Sequence, residues 1–138
     1  MQQMVMINSR PQDAYRRQDV MTANGVDLIV MLYDALKKNV ILGKKKIEKN
    51  ELLNAHKHLI KAQEIVSELI GSLDMSYPIS EELLAIYDFM ISSLRDSNVR
   101  KDPQPLQPVL EMADSLRSAW YEISLSNKGN LHTREVQA

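Results

Sequence analysis

The stretch that decides the fold is VDLIVMLYDALKKNVILGKKKIEK, residues 26–49. Apolar residues recur in it three and four positions apart, which is the spacing of one face of an α-helix. Asn24 precedes the run and is predicted to cap the helix, while Asp27 places a negative charge in the first turn, where the helix dipole favours it. The stripe expected to face the core comprises Ile29, Tyr33, Leu36, Val40 and Ile47.

Three further segments have the same helical period. They span about residues 51–73, with Asn50 as the predicted cap, about residues 80–99, and a stretch between residues 102 and 125. The stripes that these segments contribute to the predicted core comprise Leu52, Ala55, Leu59, Ala62, Val66, Ile70 and Leu73 in the second helix, Leu83, Ile86, Tyr87, Met90 and Leu94 in the third, and Val109, Ala113, Leu116, Trp120 and Ile123 in the fourth.

The connections between the four segments are short, so neighbouring helices are expected to run antiparallel. No segment alternates apolar and polar residues as a strand would. The sequence therefore predicts an all-α fold, an antiparallel up-down four-helix bundle over residues 24–126, preceded by a mobile N-terminal arm or lid of residues 1–23 and followed by a polar C-terminal tail of residues 127–138. The first residue of helix four stays open, because Pro103, Pro105 and Pro108 cannot all occupy one helical turn.

The first helix has a second apolar arc nearly opposite its core stripe, formed by Leu28, Met31, Ala35 and Leu42. A helix that is apolar on two sides is either central in its domain or covered by something else. One explanation is that the first 20 residues fold back over the arc. The other is a groove for a helix or strand of a partner. Both hold if the N-terminal segment is a lid that a partner displaces.

Composition excludes several classes of function. The chain has 138 residues, 44% of them apolar and 25% charged, which fits one compact domain. A formal net charge of −1 gives no global field for nucleic acid. Because the chain has no cysteine, disulfides and thiolate chemistry are excluded. The chain also has no run of 18 apolar residues, so no segment is predicted to insert in a membrane.

The polar residues do not form a recognisable catalytic or metal-binding pattern. His56 and His58 are two positions apart, so on a helix they point about 200° from each other and cannot share a metal. A partly buried, hydrogen-bonded histidine is the favoured interpretation of His56. The basic run at residues 44–46 is interpreted as a solvated helix end in preference to a phosphate-binding patch. The sequence thus predicts no enzyme, no cofactor and no metal site.

A series of short motifs runs through the chain in a recognisable order. It comprises Ala14-Tyr15, Val20-Met21-Thr22-Ala23, LIVMLYD at residues 28–34, Ala55-His56, LIKAQEI at residues 59–65, SLDM at residues 72–75, LAIYDFM at residues 84–90 and Ala119-Trp120. In this order and spacing the motifs resemble the flagellin-specific export chaperone family FliS over residues 12–123. Ala35 departs from a glycine that the family often has, residues 77–80 replace a common Gly-Gly turn, and the three prolines of helix four are unusual.

The resemblance implies a cytoplasmic chaperone that binds the disordered C-terminal segment of flagellin, prevents premature polymerisation and helps deliver flagellin to a component of the flagellar export gate. It also implicates the region of Tyr15 in docking to the export machinery. The residues predicted to bind a partner are Tyr15, Val20, Leu28, Met31, Leu32, Ala35 and Leu42. The expected state is a monomer or weak homodimer, and the alternative function is a helical binding module or homo-oligomeric structural protein with a different partner.

Overall fold

The computed structural model describes the backbone of residues 25–137 and the side chains of residues 25–128. Its elements are α1 (Val26–Glu48), α2 (Leu52–Gly71), α3 (Pro78–Arg100) and α4 (Leu106–Gln137). No strand occurs between residues 25 and 137. The predicted all-α class is confirmed, and the first three helices begin and end within two residues of the predicted bounds.

The four helices form a closed ring of contacts. α1 packs against α2 and α4, α2 also packs against α3, and the contact between α3 and α4 is the sparsest of the four. The core is built where these helices face one another, largely from aliphatic side chains, as the scarcity of aromatic residues requires. Its fully buried members include Leu36, Val40, Leu59, Val66, Leu69, Met90, Leu94, Leu106 and Val109.

The predicted core stripes are confirmed over most of their length, with two exceptions. Leu52 and Ile123 are 40% and 42% exposed. Leu52 is the first residue of α2, and Ile123 lies in the second half of α4. Helical period assigns both to the inner face, but near the end of a bundle fewer neighbouring side chains are available to cover that face.

The turn between α1 and α2 corrects the predicted role of Asn50. This residue does not cap α2, since the N-cap position is Glu51 and no side chain bonds there. Asn50 instead has φ of 60° and reverses the chain, with its N–H donating to the Ile47 carbonyl at 2.9 Å. Asparagine tolerates the left-handed conformation better than most residues. Asn24, predicted to cap α1, lies outside the described residues.

The turn between α2 and α3 is held by side-chain hydrogen bonds. The Asp74 carboxylate accepts from the Ser76 N–H at 3.0 Å and from the Ser76 hydroxyl at 2.6 Å. The Ser80 hydroxyl donates to the Asp74 carbonyl at 2.6 Å. α3 starts two residues earlier than predicted because Pro78, at its first position, has the φ that a helix needs and no N–H to leave unpaired.

α4 resolves the open question of the three prolines. Pro103 and Pro105 precede the helix, and Pro108 lies in its first turn, where the missing N–H has no helical partner to lose. The predicted end of this helix, near Leu125, is wrong, because α4 continues to Gln137. The residues after Leu125 are mostly polar, but none is a proline that would interrupt the helix. The division into arm, bundle and tail remains a prediction.

Candidate partner-binding surface

One flank of α1 is joined to α4 by polar side chains. The Arg117 guanidinium donates to the Asp34 carboxylate, with Nε and Oδ1 2.9 Å apart, and lies 4.9 Å from the centroid of the Tyr121 ring. Lys37 pairs with Asp114 one turn further along. Residue numbers rise on α1 as they fall on α4, so the two helices are antiparallel along this seam.

The same seam continues to the N-terminal end of α1. The Ser124 hydroxyl donates to the Asp27 carboxylate, and Lys128 Nζ lies 3.4 Å from the other carboxylate oxygen. These two partners, chiefly the Ser124 hydrogen bond, lower the pKa of Asp27 from its usual range. Ser124 itself is only 2% exposed, so this polar contact anchors α4 to the start of α1.

The other flank of α1 approaches α2 closely. His58 Nδ1 and Asn39 Oδ1 are 3.1 Å apart, and since an amide oxygen only accepts, His58 donates. One turn further along, a Cβ atom placed on Gly43 would lie 2.7 Å from Leu59 Cδ2. The absence of a side chain at Gly43 therefore sets the distance between these helices. Sequence reasoning missed this residue, although an isolated glycine inside a helix is a known sign of close packing.

Between these two flanks, α1 presents an apolar strip to the outside of the bundle. We name it the outward strip; its members are Leu28, Met31, Ala35 and Leu42, the second arc of the sequence prediction. Leu28 is 48% exposed and Met31 is 65% exposed, whereas Ala35 and Leu42 are half-buried and Ala35 also packs against the hydrophobic core. The structure therefore brings four of the seven predicted binding residues to one surface.

The other three predicted binding residues, Leu32, Tyr15 and Val20, are not members of the outward strip. Leu32 is half-buried and packs against the hydrophobic core, because it lies one position from Met31 and hence about 100° around the helix. It borders the strip instead of projecting from it. Tyr15 and Val20 lie outside the described residues. That these seven residues bind a partner remains a prediction.

The two histidines of α2 contact different helices, as their spacing predicts. His58 faces Asn39 of α1, whereas His56 Nδ1 lies 3.0 Å from the Asn98 amide nitrogen on α3. The Asn98 oxygen accepts from Lys101 Nζ at 2.7 Å, so the amide nitrogen is the donor to His56. His56 is hydrogen-bonded as predicted, although the residue as a whole is exposed. Within residues 25–128, no three His, Cys, Asp or Glu side chains are grouped to hold a metal ion.

The most deeply buried polar side chains are two tyrosines. The hydroxyls of Tyr33 and Tyr87 are 2.6 Å apart inside the core. Burial raises the pKa of both groups, and for Tyr33 the neighbouring Tyr87 adds to the rise while the Trp120 side chain opposes it. A tyrosine with a raised pKa holds its proton at neutral pH and is a poor nucleophile. The pair has a structural role.

These features define a class of protein: a helical bundle with an exposed apolar strip on one helix, suited to holding another protein chain. Among the described residues, no helix is long and apolar enough to span a membrane. The comparisons with known proteins narrow the class. A family model described as "Flagellar protein FliS" matches residues 6–127, nearly the whole chain, and the chain belongs to the FliS family.

Similar proteins from several bacteria have the same description. The chain is 31% identical over 127 residues to a "Flagellar secretion chaperone FliS" of Bacillus subtilis, covering 92% of this chain and 96% of the relative. It is 30% identical over 108 residues to the protein of that name in Salmonella typhimurium, covering 76% and 80%. The protein of that name in Vibrio cholerae is 30% identical over 98 residues, covering 70% and 72%. The resemblance seen in the sequence is confirmed: this is a family of export chaperones and not of enzymes.

Proposed function

We propose that the chain binds the disordered C-terminal segment of flagellin, keeps it from polymerising prematurely in the cytoplasm, and assists its delivery to the flagellar type III export gate. Membership of a family of flagellar secretion chaperones supports the coarse role. The observation that carries the proposal is the outward strip, in which Leu28 and Met31 expose about half or more of their surface on a well-packed helix. Exposed apolar surface of this kind is removed from water when a partner covers it.

The size of the contact follows from the energies involved. Fully burying a Leu or Met side chain contributes about 1.5–3 kcal/mol, and here only the exposed fraction remains to be gained. Ordering a disordered client costs about 2–5 kcal/mol. Leu28 and Met31 alone therefore cannot hold it, so the client must extend along the strip to Ala35 and Leu42 and onto neighbouring surface.

The N-terminal arm is assigned two roles in the proposal. Tyr15 and Val20 would anchor residues 1–23 over the outward strip when no client is present, and Leu32 would support the strip from its α2 side. The region of Tyr15 would also dock to a component of the export gate.

The test is calorimetric titration of the chain with a peptide from the last ~40 residues of the host flagellin, a length in keeping with coupled folding. Leu28→Asp and Met31→Asp should each weaken binding at least tenfold, which corresponds to about 1.4 kcal/mol. Val99→Asp is the matched control, because Val99 is 78% exposed on a different helix. Normal binding by both folded strip variants would show that the strip is not the client site.

A second candidate function is supported by the same strip, which could also be the interface between two copies of the chain in a homo-oligomeric structural module. The proposed state is a monomer or weak homodimer. Light scattering over a dilution series distinguishes these, since a structural oligomer stays assembled at low concentration. Loss of a stable oligomer in Met31→Asp, with no binding of flagellin by the wild type, would favour the structural module.

A further inference from the structure

The outer surface of α2 carries a stripe of four charged residues that changes sign along its length. Lys57, Lys61, Glu64 and Glu68 are all exposed and succeed one another at helical spacing of four, three and four. His56 contacts α3 and His58 contacts α1, so Lys57, between them, faces away from the bundle. We name these four residues the charged stripe.

The register of α1 against α2 determines which part of the outward strip lies beside each residue of the charged stripe. Asn39 meets His58, and Lys46 Nζ lies 3.2 Å from a carboxylate oxygen of Glu51, so the C-terminal half of α1 runs beside the N-terminal half of α2. At one residue back on α1 for each residue forward on α2, Glu68 comes level with Ile29, the neighbour of Leu28. Lys57 comes level with the C-terminal part of the strip.

The lysines of this surface are exposed. Within the part of the chain that the structure describes, neither Lys57 nor Lys61 has an ion pair. The same holds for Lys38 and Lys45, which are exposed on the outer side of α1. The surface formed by the strip and the stripe thus has a basic end near Leu42 and an acidic end near Leu28, about 21 Å apart at the rise of an α-helix.

We propose that this surface binds an amphipathic segment in one orientation, with the acidic end of the segment over Lys57 and Lys61 and its basic end over Glu64 and Glu68. The inference rests on the proposed function and adds the charge pattern of the client and its direction on the chaperone. An apolar helix face laid on the outward strip supplies affinity, and charge complementarity selects one of the two directions. A segment laid the other way would put like charges together at both ends.

An anionic membrane fits this surface less well than a peptide does. Lysines beside apolar residues are a common lipid-binding pattern. Here, however, Glu64 and Glu68 lie beside Leu28 and Met31, the most exposed residues of the outward strip, and would be repelled by the lipid headgroups that those residues approach. A segment carrying both signs of charge satisfies both ends.

Three synthetic amphipathic peptides of about 18 residues, sharing one apolar stripe, test the inference against the full chain. The first has Glu at one end and Lys at the other, the second Glu at both ends and the third Lys at both. At low salt the first should bind at least about fivefold tighter than either of the others, and 0.5 M salt should remove the difference. A photo-crosslinker at its acidic end should attach beside Lys57 and not beside Leu28.

Charge reversal identifies the residues responsible. The double variant Lys57→Glu and Lys61→Glu should bind the first peptide about tenfold more weakly than the wild type does. The third peptide should then be its best ligand. Arg95→Glu is the matched control on α3, an exposed residue with no ion pair among the described residues, and should change nothing. Equal affinities for the three peptides, no binding of any, or crosslinking of the acidic end beside Leu28 would overturn the inference.

Binding of lipid vesicles and binding of the flagellin peptide distinguish this inference from a lipid-binding role and from the proposed function. If phosphatidylglycerol vesicles bind the chain and the double reversal abolishes that binding while peptide affinities stay unchanged, the lysines serve a lipid surface and the inference is wrong. If the flagellin peptide binds in a manner sensitive to Leu28→Asp but the designed peptides show no preference, the proposed function stands and the orientation fails. If the flagellin peptide does not bind while the designed peptides behave as expected, the orientation stands and the proposed client is wrong.

Discussion

Tyr33 of α1 and Tyr87 of α3 join their hydroxyls at 2.6 Å across the bundle. The two residues are 0% and 2% exposed and lie on helices that are not neighbours in the ring of contacts. The bond therefore links opposite sides of the core, where an unpaired hydroxyl would be costly. In the motifs LIVMLYD and LAIYDFM, the tyrosines look like two ordinary members of apolar stripes.

The free-energy costs of removing these two hydroxyls should not add, because each hydroxyl is the other's hydrogen-bond partner. Tyr33→Phe or Tyr87→Phe leaves the other hydroxyl buried without this partner and should lower the free energy of unfolding by about 1–3 kcal/mol. The double Phe variant should be destabilised by less than the sum of the two single changes. Urea unfolding of the four proteins measures the coupling. Strict additivity would show that the hydroxyls do not depend on each other.

The tyrosine pair should also make the protein sensitive to alkali. Burial raises the pKa of both groups in the folded state, whereas in the unfolded chain tyrosine ionises at a pKa of about 10. Their contribution to stability is thus fully present below about pH 10 and falls as the pH rises above it. Unfolding at pH 8 and pH 10.5 should show a smaller loss in the double Phe variant than in the wild type. An identical loss would assign the alkaline effect to other groups, such as the lysines.

Gly43 and Gly71 should respond in opposite ways to an added side chain. A Cβ at Gly43 meets Leu59 at 2.7 Å, while nothing lies within 4 Å of one at Gly71. Gly43→Val should destabilise the bundle by about 1–3 kcal/mol, because Leu59 is fully buried and cannot move aside freely. Gly71→Ala should stabilise it by about 0.4–1 kcal/mol by restricting the unfolded chain. Thermal unfolding checks both, and an unchanged melting temperature for Gly43→Val would contradict the close approach.

Asp27 should contribute stability that is lost in acid. Its pKa is lowered in the folded state, mainly by the hydrogen bond from Ser124 and also by Lys128. The contribution is therefore present above the unfolded pKa of about 3.9 and disappears as the pH falls through the lower folded value. Asp27→Asn should lose less than about 1 kcal/mol at pH 6, since the site is partly exposed. The difference from wild type should shrink as the pH falls below about 3.9, and a difference that stays constant on acidification would come from packing instead.

Deletion of residues 1–20 separates the roles proposed for the N-terminal arm. If the arm is a lid, the truncated chain should bind the flagellin peptide more tightly, by the inverse of the fraction of time for which the lid is open. Hydrogen exchange in α1 should then rise in the absence of client. If the arm also docks to the export gate, binding should survive in vitro while flagellin export in cells fails. Unchanged affinity together with unchanged export would refute both roles.

The sequence alone was sufficient to predict four helices, their core stripes and a second apolar arc on the first of them. These features depend on helical period, which is a local property of the chain. The first residue of α4 could not be predicted from the local sequence. Three prolines within six residues leave several first turns open, and only packing against the other helices selects Leu106. The end of α4 was misjudged because polar composition does not distinguish a helical segment from an irregular tail.

Only the tertiary structure decided which residues of different helices meet. Nothing in the spacing of Tyr33 and Tyr87, or of Asp34 and Arg117, shows that they form pairs, since each pair depends on the register and rotation of two helices packed in three dimensions. The same holds for the alignment of the outward strip with the charged stripe of α2. Periodicity determines which face of a helix is apolar, but the polarity of a surface made from two helices depends on how far one is shifted along the other, and packing of the whole core sets that shift.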